Sequence, residues 1–81
     1  MWHEGTIGIP VGKEGMRVAH YWVKAFDEPS KYGINGGKVS KLMIKIDGDI
    51  VANYDRGWDI KPGDDDEQAN VALYICLDQY N

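Results

Sequence analysis

The last quarter of the chain constrains its fold more than any other stretch. A Pro62-Gly63 break is followed by four consecutive acids, Asp64 to Glu67, and then by an apolar stripe. Ala69, Ala72, Leu73, Cys76 and Tyr80 recur at i, i+3, i+4, i+7 and i+11, with Ile75 and Leu77 flanking. That spacing predicts an amphipathic helix near 64–80 with one face buried. Asp64 is the expected N-cap, with Glu67 three positions on as in a capping box, because unsatisfied N–H groups and the helix dipole favour negative charge there.

Everything before the helix reads as strands. Thr6, Ile7 and Ile9 favour a first strand near 2–9, and Pro10 permits only its end or an edge. Val11 to Gly15, with Gly12, Lys13 and Glu14 between, has turn composition. From 16 to 26, Ala19, Tyr21, Val23 and Ala25 alternate with Val18, His20, Trp22, Lys24 and Phe26, a period of two with apolar material on both faces. Asp27 to Lys38 is dense in Pro, Ser, Asn and Gly and is expected to be the longest loop, and Asn35-Gly36 suits a type I′ turn closing a small hairpin within it. Strands near 39–46 and 50–54 follow. A three-residue connection through Asp47-Gly48-Asp49 would set Ile46 beside Ile50, Ile44 beside Ala52 and Leu42 beside Tyr54, whereas a two-residue Asp-Gly turn would set Asp49 opposite Ile46. The apolar pattern favours the longer connection. The stretch from Asp55 to Gly63 reads as irregular.

The expected fold is therefore α+β: a four-stranded antiparallel meander with one C-terminal helix packed on one face, ββββα, in a single domain of 81 residues. At this size the core leaves only a few kcal/mol of net stability, so each large apolar residue counts. One helix shields one face of such a sheet. With Ala19, Tyr21, Val23 and Ala25 beneath it, the opposite face presents Val18, His20, Trp22, Lys24 and Phe26, joined by Lys41, Met43 and Lys45 of the third strand. An aromatic, methionine and lysine surface of this kind suits a contact site. Packing of Trp22 and Phe26 against the Pro29–Lys38 loop would satisfy the same residues.

The net charge of -4 is unevenly spread. Residues 1–46 hold seven Lys or Arg against four acids, giving +3, and residues 47–81 hold two against nine, giving -7. Overall acidity disfavours non-specific attraction to nucleic acid or anionic membrane while leaving room for a basic patch on the first part. A single cysteine excludes an internal disulfide framework and suits a reducing compartment. With no leader pattern and no apolar run of the roughly 18 residues that a membrane span needs, the expected location is the cytoplasm.

Candidate chemistry is sparse. Cys76 with His3 or His20 could suggest a nucleophilic dyad, but its place on the apolar stripe predicts a buried, inert thiol. Zinc needs four ligands in paired short spacings, and calcium a loop with alternating acids, a glycine and a terminal bidentate acid; neither pattern is present, so no metal or cofactor is expected. The glycines from Gly33 to Gly37 lack the Gly-Lys-Ser/Thr ending of a phosphate loop. Tyr54-Asp55-Arg56-Gly57-Trp58-Asp59 is the densest cluster of interaction-prone residues. It reads either as a recognition edge or as a structural corner, with Trp58 and Ile60 wedged beneath the helix start and Arg56 paired to Asp55 or Asp59.

The phrases Tyr32-Gly33-Ile34-Asn35-Gly36-Gly37-Lys38-Val39-Ser40-Lys41-Leu42 and Asn53-Tyr54-Asp55-Arg56-Gly57-Trp58-Asp59, with the closing Tyr80-Asn81, resemble a family of small uncharacterised proteins of gut anaerobic bacteria and their mobile elements. The resemblance covers nearly the whole chain, leaving out Pro10 to Met16. It implies an accessory protein of a conjugative element or phage and transfers no catalytic residues.

The resulting expectation is a non-enzymatic interaction module that binds a protein partner or self-associates. Its contact residues would be His20, Trp22, Lys24, Met43 and Lys45 on the sheet face, or Tyr32 and Asn35 in the loop with Arg56, Trp58 and Asp59 at the corner. Two rivals differ in class. One is an acidic anti-defence or regulatory inhibitor that uses residues 47–67 to occupy a nucleic-acid channel. The other is a nucleic-acid binder that stacks bases on Trp22 and steers phosphates with Lys24, Lys41 and Lys45, against which overall acidity counts.

Overall fold

The structure, a computed structural model, describes residues 1–13 and 15–81. Five strands precede one helix: β1 (Trp2–Val11), β2 (Gly15–Ala25), β3 (Val39–Ile46), β4 (Asp49–Asp55), β5 (Trp58–Ile60) and α1 (Glu67–Tyr80). The strands form one antiparallel sheet in the order β1-β2-β3-β4-β5. The α+β meander with a helix on one face is thus as expected, but the sheet has five strands instead of four. Among the described residues, no helix is long and apolar enough to cross a membrane.

The fifth strand comes from the stretch expected to be irregular. Arg56 adopts a positive φ of 55°, and with Gly57 it turns the chain back so that Trp58 lies opposite Tyr54 and Ile60 opposite Asn53. The Asp55 N–H donates to the Gly57 carbonyl at 2.9 Å, and the Arg56 N–H donates to the Ser40 carbonyl at 3.0 Å. A three-residue strand lies below the length at which alternation can be read. Trp58 meets the Tyr54 ring edge-on, with centroids 5.1 Å apart, and packs against the core. Ile60 is exposed and is not wedged beneath the helix start.

The β3–β4 connection corrects a second expectation. Asp47 and Gly48 both have positive φ, 53° and 83°, as a two-residue type I′ turn requires, and Ile46 lies opposite Asp49. A bulge between Ile44 and Lys45 then leaves Val51 without an opposite number and restores Ile44 opposite Ala52 and Leu42 opposite Tyr54. The Asp-Gly pair chose the turn, and the bulge rescued the apolar register.

In the long loop, Asn35 and Gly36 have positive φ of 54° and 71°, and the Gly37 N–H donates to the Ile34 carbonyl at 2.9 Å. The turn geometry is that of type I′, but it forms a short 3-10 turn and no hairpin. Ile34, nearly inaccessible, carries this loop into the core instead of over the opposite face. Of the Val11–Gly15 turn, Glu14 lies outside the described residues; Gly12 has a φ of 65° and Gly15 already begins β2.

The helix starts later than its acids suggest. Asp66, not Asp64, is the N-cap, its Oδ1 accepting from the Ala69 N–H at 3.2 Å, so Glu67 is the first helical residue and no capping box forms. Ala69, Ala72 and Cys76 are buried, and Leu73, Leu77 and Tyr80 pack beside them. Small residues on this stripe let the helix sit close across β1 to β4, over Ala19, Val23, Ile44 and Ala52. The Tyr80 hydroxyl reaches the Tyr21 hydroxyl at 2.8 Å, and His3 stacks on the Tyr80 ring at 4.6 Å.

Candidate functional site

The pairing register fixes what the face opposite the helix presents. Successive side chains of a strand alternate sides, so Trp2, Glu4 and Thr6 of β1 share a side with Lys24, Trp22 and His20, their opposite numbers on β2. On the next strand Lys41, Met43 and Lys45 stand opposite Lys24, Trp22 and His20 in turn. Asp55 and Asn53 of β4 complete the first two rows opposite Lys41 and Met43. Five of the predicted contact residues, His20, Trp22, Lys24, Met43 and Lys45, are therefore brought together on one open face.

Within this face the polar and aromatic groups are mutually ordered. His20 Nε2 lies 2.7 Å from Glu4 Oε2, and the imidazole stacks on Trp22 with centroids 4.2 Å apart and planes within 13°. Lys45 Nζ lies 5.9 Å from the Trp22 ring, while Lys24 Nζ lies 6.0 Å from Trp2 and 5.4 Å from Phe26. Lys41 Nζ approaches Asp55 at 3.8 Å. Among the described residues, Lys24 and Lys45 have no carboxylate partner. Between these groups lies an open cleft of about 450 Å³ lined by Trp2, Trp22, Lys41, Met43, Asn53 and Asp55 together with Leu42 and Tyr54.

Trp2, Asn53 and Asp55 were absent from the predicted contact set. The signal for Trp2 was available: a hairpin turning symmetrically through Val11 to Gly15 centres on Lys13 and sets Trp2 opposite Lys24. Asn53 and Asp55 follow from the expected register as well, since Leu42 beside Tyr54 puts Met43 beside Asn53 and Lys41 beside Asp55.

The second predicted group is not part of this face. Tyr32 is half-exposed in the loop, where its carbonyl accepts from the Tyr54 hydroxyl at 2.7 Å, and Asn35 is exposed at the type I′ turn. Trp58 has the corner role, packed on Tyr54, while Arg56 and Asp59 face solvent. Arg56 Nε lies 3.9 Å from Asp55, one of the two partners expected of it.

Two titratable groups under the helix are shifted from their ordinary values. Burial pushes the Cys76 thiol up to about 11. The hydrogen bond with Tyr80, with burial added, pushes the Tyr21 phenol up to about 12. Both shifts keep the groups neutral and suit a packed interior. Cys76 is accordingly the buried thiol that the stripe implied. Among the described residues, no three His, Cys, Asp or Glu side chains gather as a metal ion would require.

No curated protein and no solved structure matches the chain. One family model does match, described as a domain of unknown function, and it covers residues 1–81. The chain, from its first residue to its last, belongs to the family of the domain of unknown function DUF7678.

Proposed function

We propose that the protein is a non-enzymatic interaction module whose open sheet face binds a protein partner through a short segment combining acidic and apolar side chains. The observation that carries this reading is the cleft itself: Trp2, Trp22 and Met43 offer apolar area, and Lys24 and Lys45 at its margins form no ion pair among the described residues. Aromatic anchors with unpaired cations at their edge suit a segment that buries a large side chain and places a carboxylate beside it. The stacked His20 argues against the nucleic-acid alternative, because it already occupies a face of the Trp22 ring on which a base would stack. The acidic-inhibitor alternative draws little support, since Asp47 belongs to a turn and Asp66 to a helix cap.

The proposed setting is the cytoplasm of gut anaerobic bacteria, on a mobile element; the sequence resemblance and the single buried thiol support it. The test is affinity capture from such a host with wild type and with a Trp22→Ser/Lys45→Glu variant of equal thermal midpoint. Loss of one bound protein specifically with the variant supports the reading. Identical capture by both overturns it, as does binding of single-stranded oligonucleotide that weakens steeply with salt.

A further inference from the structure

The two edges of the sheet are unequally protected. β5 is three residues long and runs into Lys61-Pro62, so it offers little to a pairing strand. β1 is a ten-residue edge, continuous in register with β2 and without a bulge. Its one formally charged residue, Glu4, is engaged by His20. None of the usual guards of an edge, a lysine, a bulge or a mid-strand proline, lies between Trp2 and Ile9.

Hydrogen bonding at the start of β1 sets which backbone groups face outward. Met1 and Ala25 exchange both bonds, at 2.9 and 3.0 Å. In an antiparallel ladder such pairs alternate with pairs that make no mutual bonds, so Trp2, Glu4, Thr6, Gly8 and Pro10 direct their main-chain groups away from β2. Pro10 falls on an outward position, where its missing N–H costs the β1–β2 ladder nothing.

We infer that β1 pairs antiparallel with β1 of a second copy about a two-fold axis at Gly5, joining two sheets into one. In this register Trp2 stands opposite Gly8 of the second copy, and Glu4 opposite its Thr6. Each such pair exchanges two bonds, so every outward N–H from Trp2 to Gly8 meets a carbonyl, and Pro10 falls outside the paired stretch. Centring on Thr6 instead would set the Trp2 carbonyl against Pro10, which has no donor. An antiparallel strand pair about a two-fold axis is its own complement, which favours a second copy over an unrelated strand.

Side chains point to the same register. Met16 Sδ lies 2.7 Å from where a Cβ on Gly8 would stand, so that position is covered by thioether instead of a side chain of its own. Trp2, Met16 and Val18 are 57%, 66% and 53% exposed in the single chain. Pairing brings Trp2 of each copy over Gly8 of the other, beside its Met16 and Val18, an aromatic, sulfur and aliphatic contact made twice. Hydrogen-bonded strand pairing keeps like faces on one side, so both helices lie together and both clefts open on the other side. The pairing uses the sheet edge and does not rest on the partner-binding role of the cleft.

Sedimentation equilibrium of the full chain over a concentration series should give twice the chain mass, and Thr6→Pro should give the single mass. That variant removes an outward N–H and leaves every β1–β2 bond in place, so its circular dichroism should match wild type. Independently of any variant, the Glu4, Thr6 and Gly8 amides should exchange roughly tenfold or more slowly in the dimer than on dilution. Mixing Glu4→Cys with Thr6→Cys protein should yield a cross-linked pair, because directly opposed residues stand about 5.5 Å apart between Cα atoms, within disulfide reach. A monomer up to millimolar concentration, fast exchange at those amides at every concentration, or a Thr6→Pro variant that stays dimeric overturns the inference. Efficient cross-linking of Thr6→Cys with itself overturns the Gly5-centred register.

Discussion

Asn81 and Val39 are joined by a hydrogen bond from the Val39 N–H to Asn81 Oδ1 at 3.0 Å, while the same amide donates through Nδ2 to the Ile34 carbonyl at 3.0 Å. One side chain, a residue past the helix, thus closes the loop that leads into β3. Asn81→Ala should cost about 1–2 kcal/mol and speed exchange at the Val39 amide, since each lost bond leaves a part-buried group unpaired. An unchanged Val39 exchange rate would show that water replaces the amide without penalty. Gly37→Ala should mimic the loss, because its Cβ would collide with the Asn81 amide.

Gly5 has a different constraint. A Cβ there would stand 2.7 Å from Tyr21 Cζ, on the ring whose hydroxyl is bonded to Tyr80. Gly5→Ala should therefore destabilise by roughly 1–3 kcal/mol, as overpacking does, despite the better strand propensity of alanine. Adding Tyr21→Phe should recover part of that cost, measured by urea unfolding, because the clashing hydroxyl is gone. Strictly additive costs would exclude the steric explanation.

Stability should fall at alkaline pH in two stages. The folded-state values of Cys76, about 11, and Tyr21, about 12, lie above their ordinary 9 and 10, so the folded chain holds these protons more tightly than the unfolded chain. Their contribution is complete below pH 9, and it is lost as pH rises through the range from 9 to about 12, on the order of 2 kcal/mol for the buried thiol and less for the phenol, whose oxygen sits at the edge of the core. Cys76→Ala should flatten the profile between pH 9 and 11 at a cost of roughly 1 kcal/mol in packing. In the native protein the thiol should resist alkylation until the chain unfolds.

The cap assignment separates two neighbouring acids. Asp66→Ala should cost about 1 kcal/mol, whereas Asp64→Ala should stay within about 0.5 kcal/mol. Equal effects in thermal melts would return the cap to the sequence-based position.

The core is the most legible part of the sequence. The alternation of Ala19, Tyr21 and Val23 and of Leu42, Ile44 and Ile46 named the buried face of two strands, and the Ala69–Ala72–Cys76 stripe named the helix face laid on it. Five of the contact residues were placed together for the same reason: parity along a strand is a local property. What local pattern could not supply is correction by neighbours. The register of β4 depends on a bulge that reconciles an Asp-Gly turn with an apolar partner strand. The helix begins at Glu67 because Asp66, third in a run of similar acids, is the one whose carboxylate reaches the Ala69 N–H.

The sequence by itself determined the element types, the sides of the two central strands and the buried thiol, because periodicity and composition act within a few residues. The tertiary structure alone decided the fifth strand, the two-residue β3–β4 turn with its compensating bulge, and the unguarded β1 edge. Each of these follows from which strand lies beside which, a long-range pairing whose free energy is spread over distant segments and is written in none of them singly.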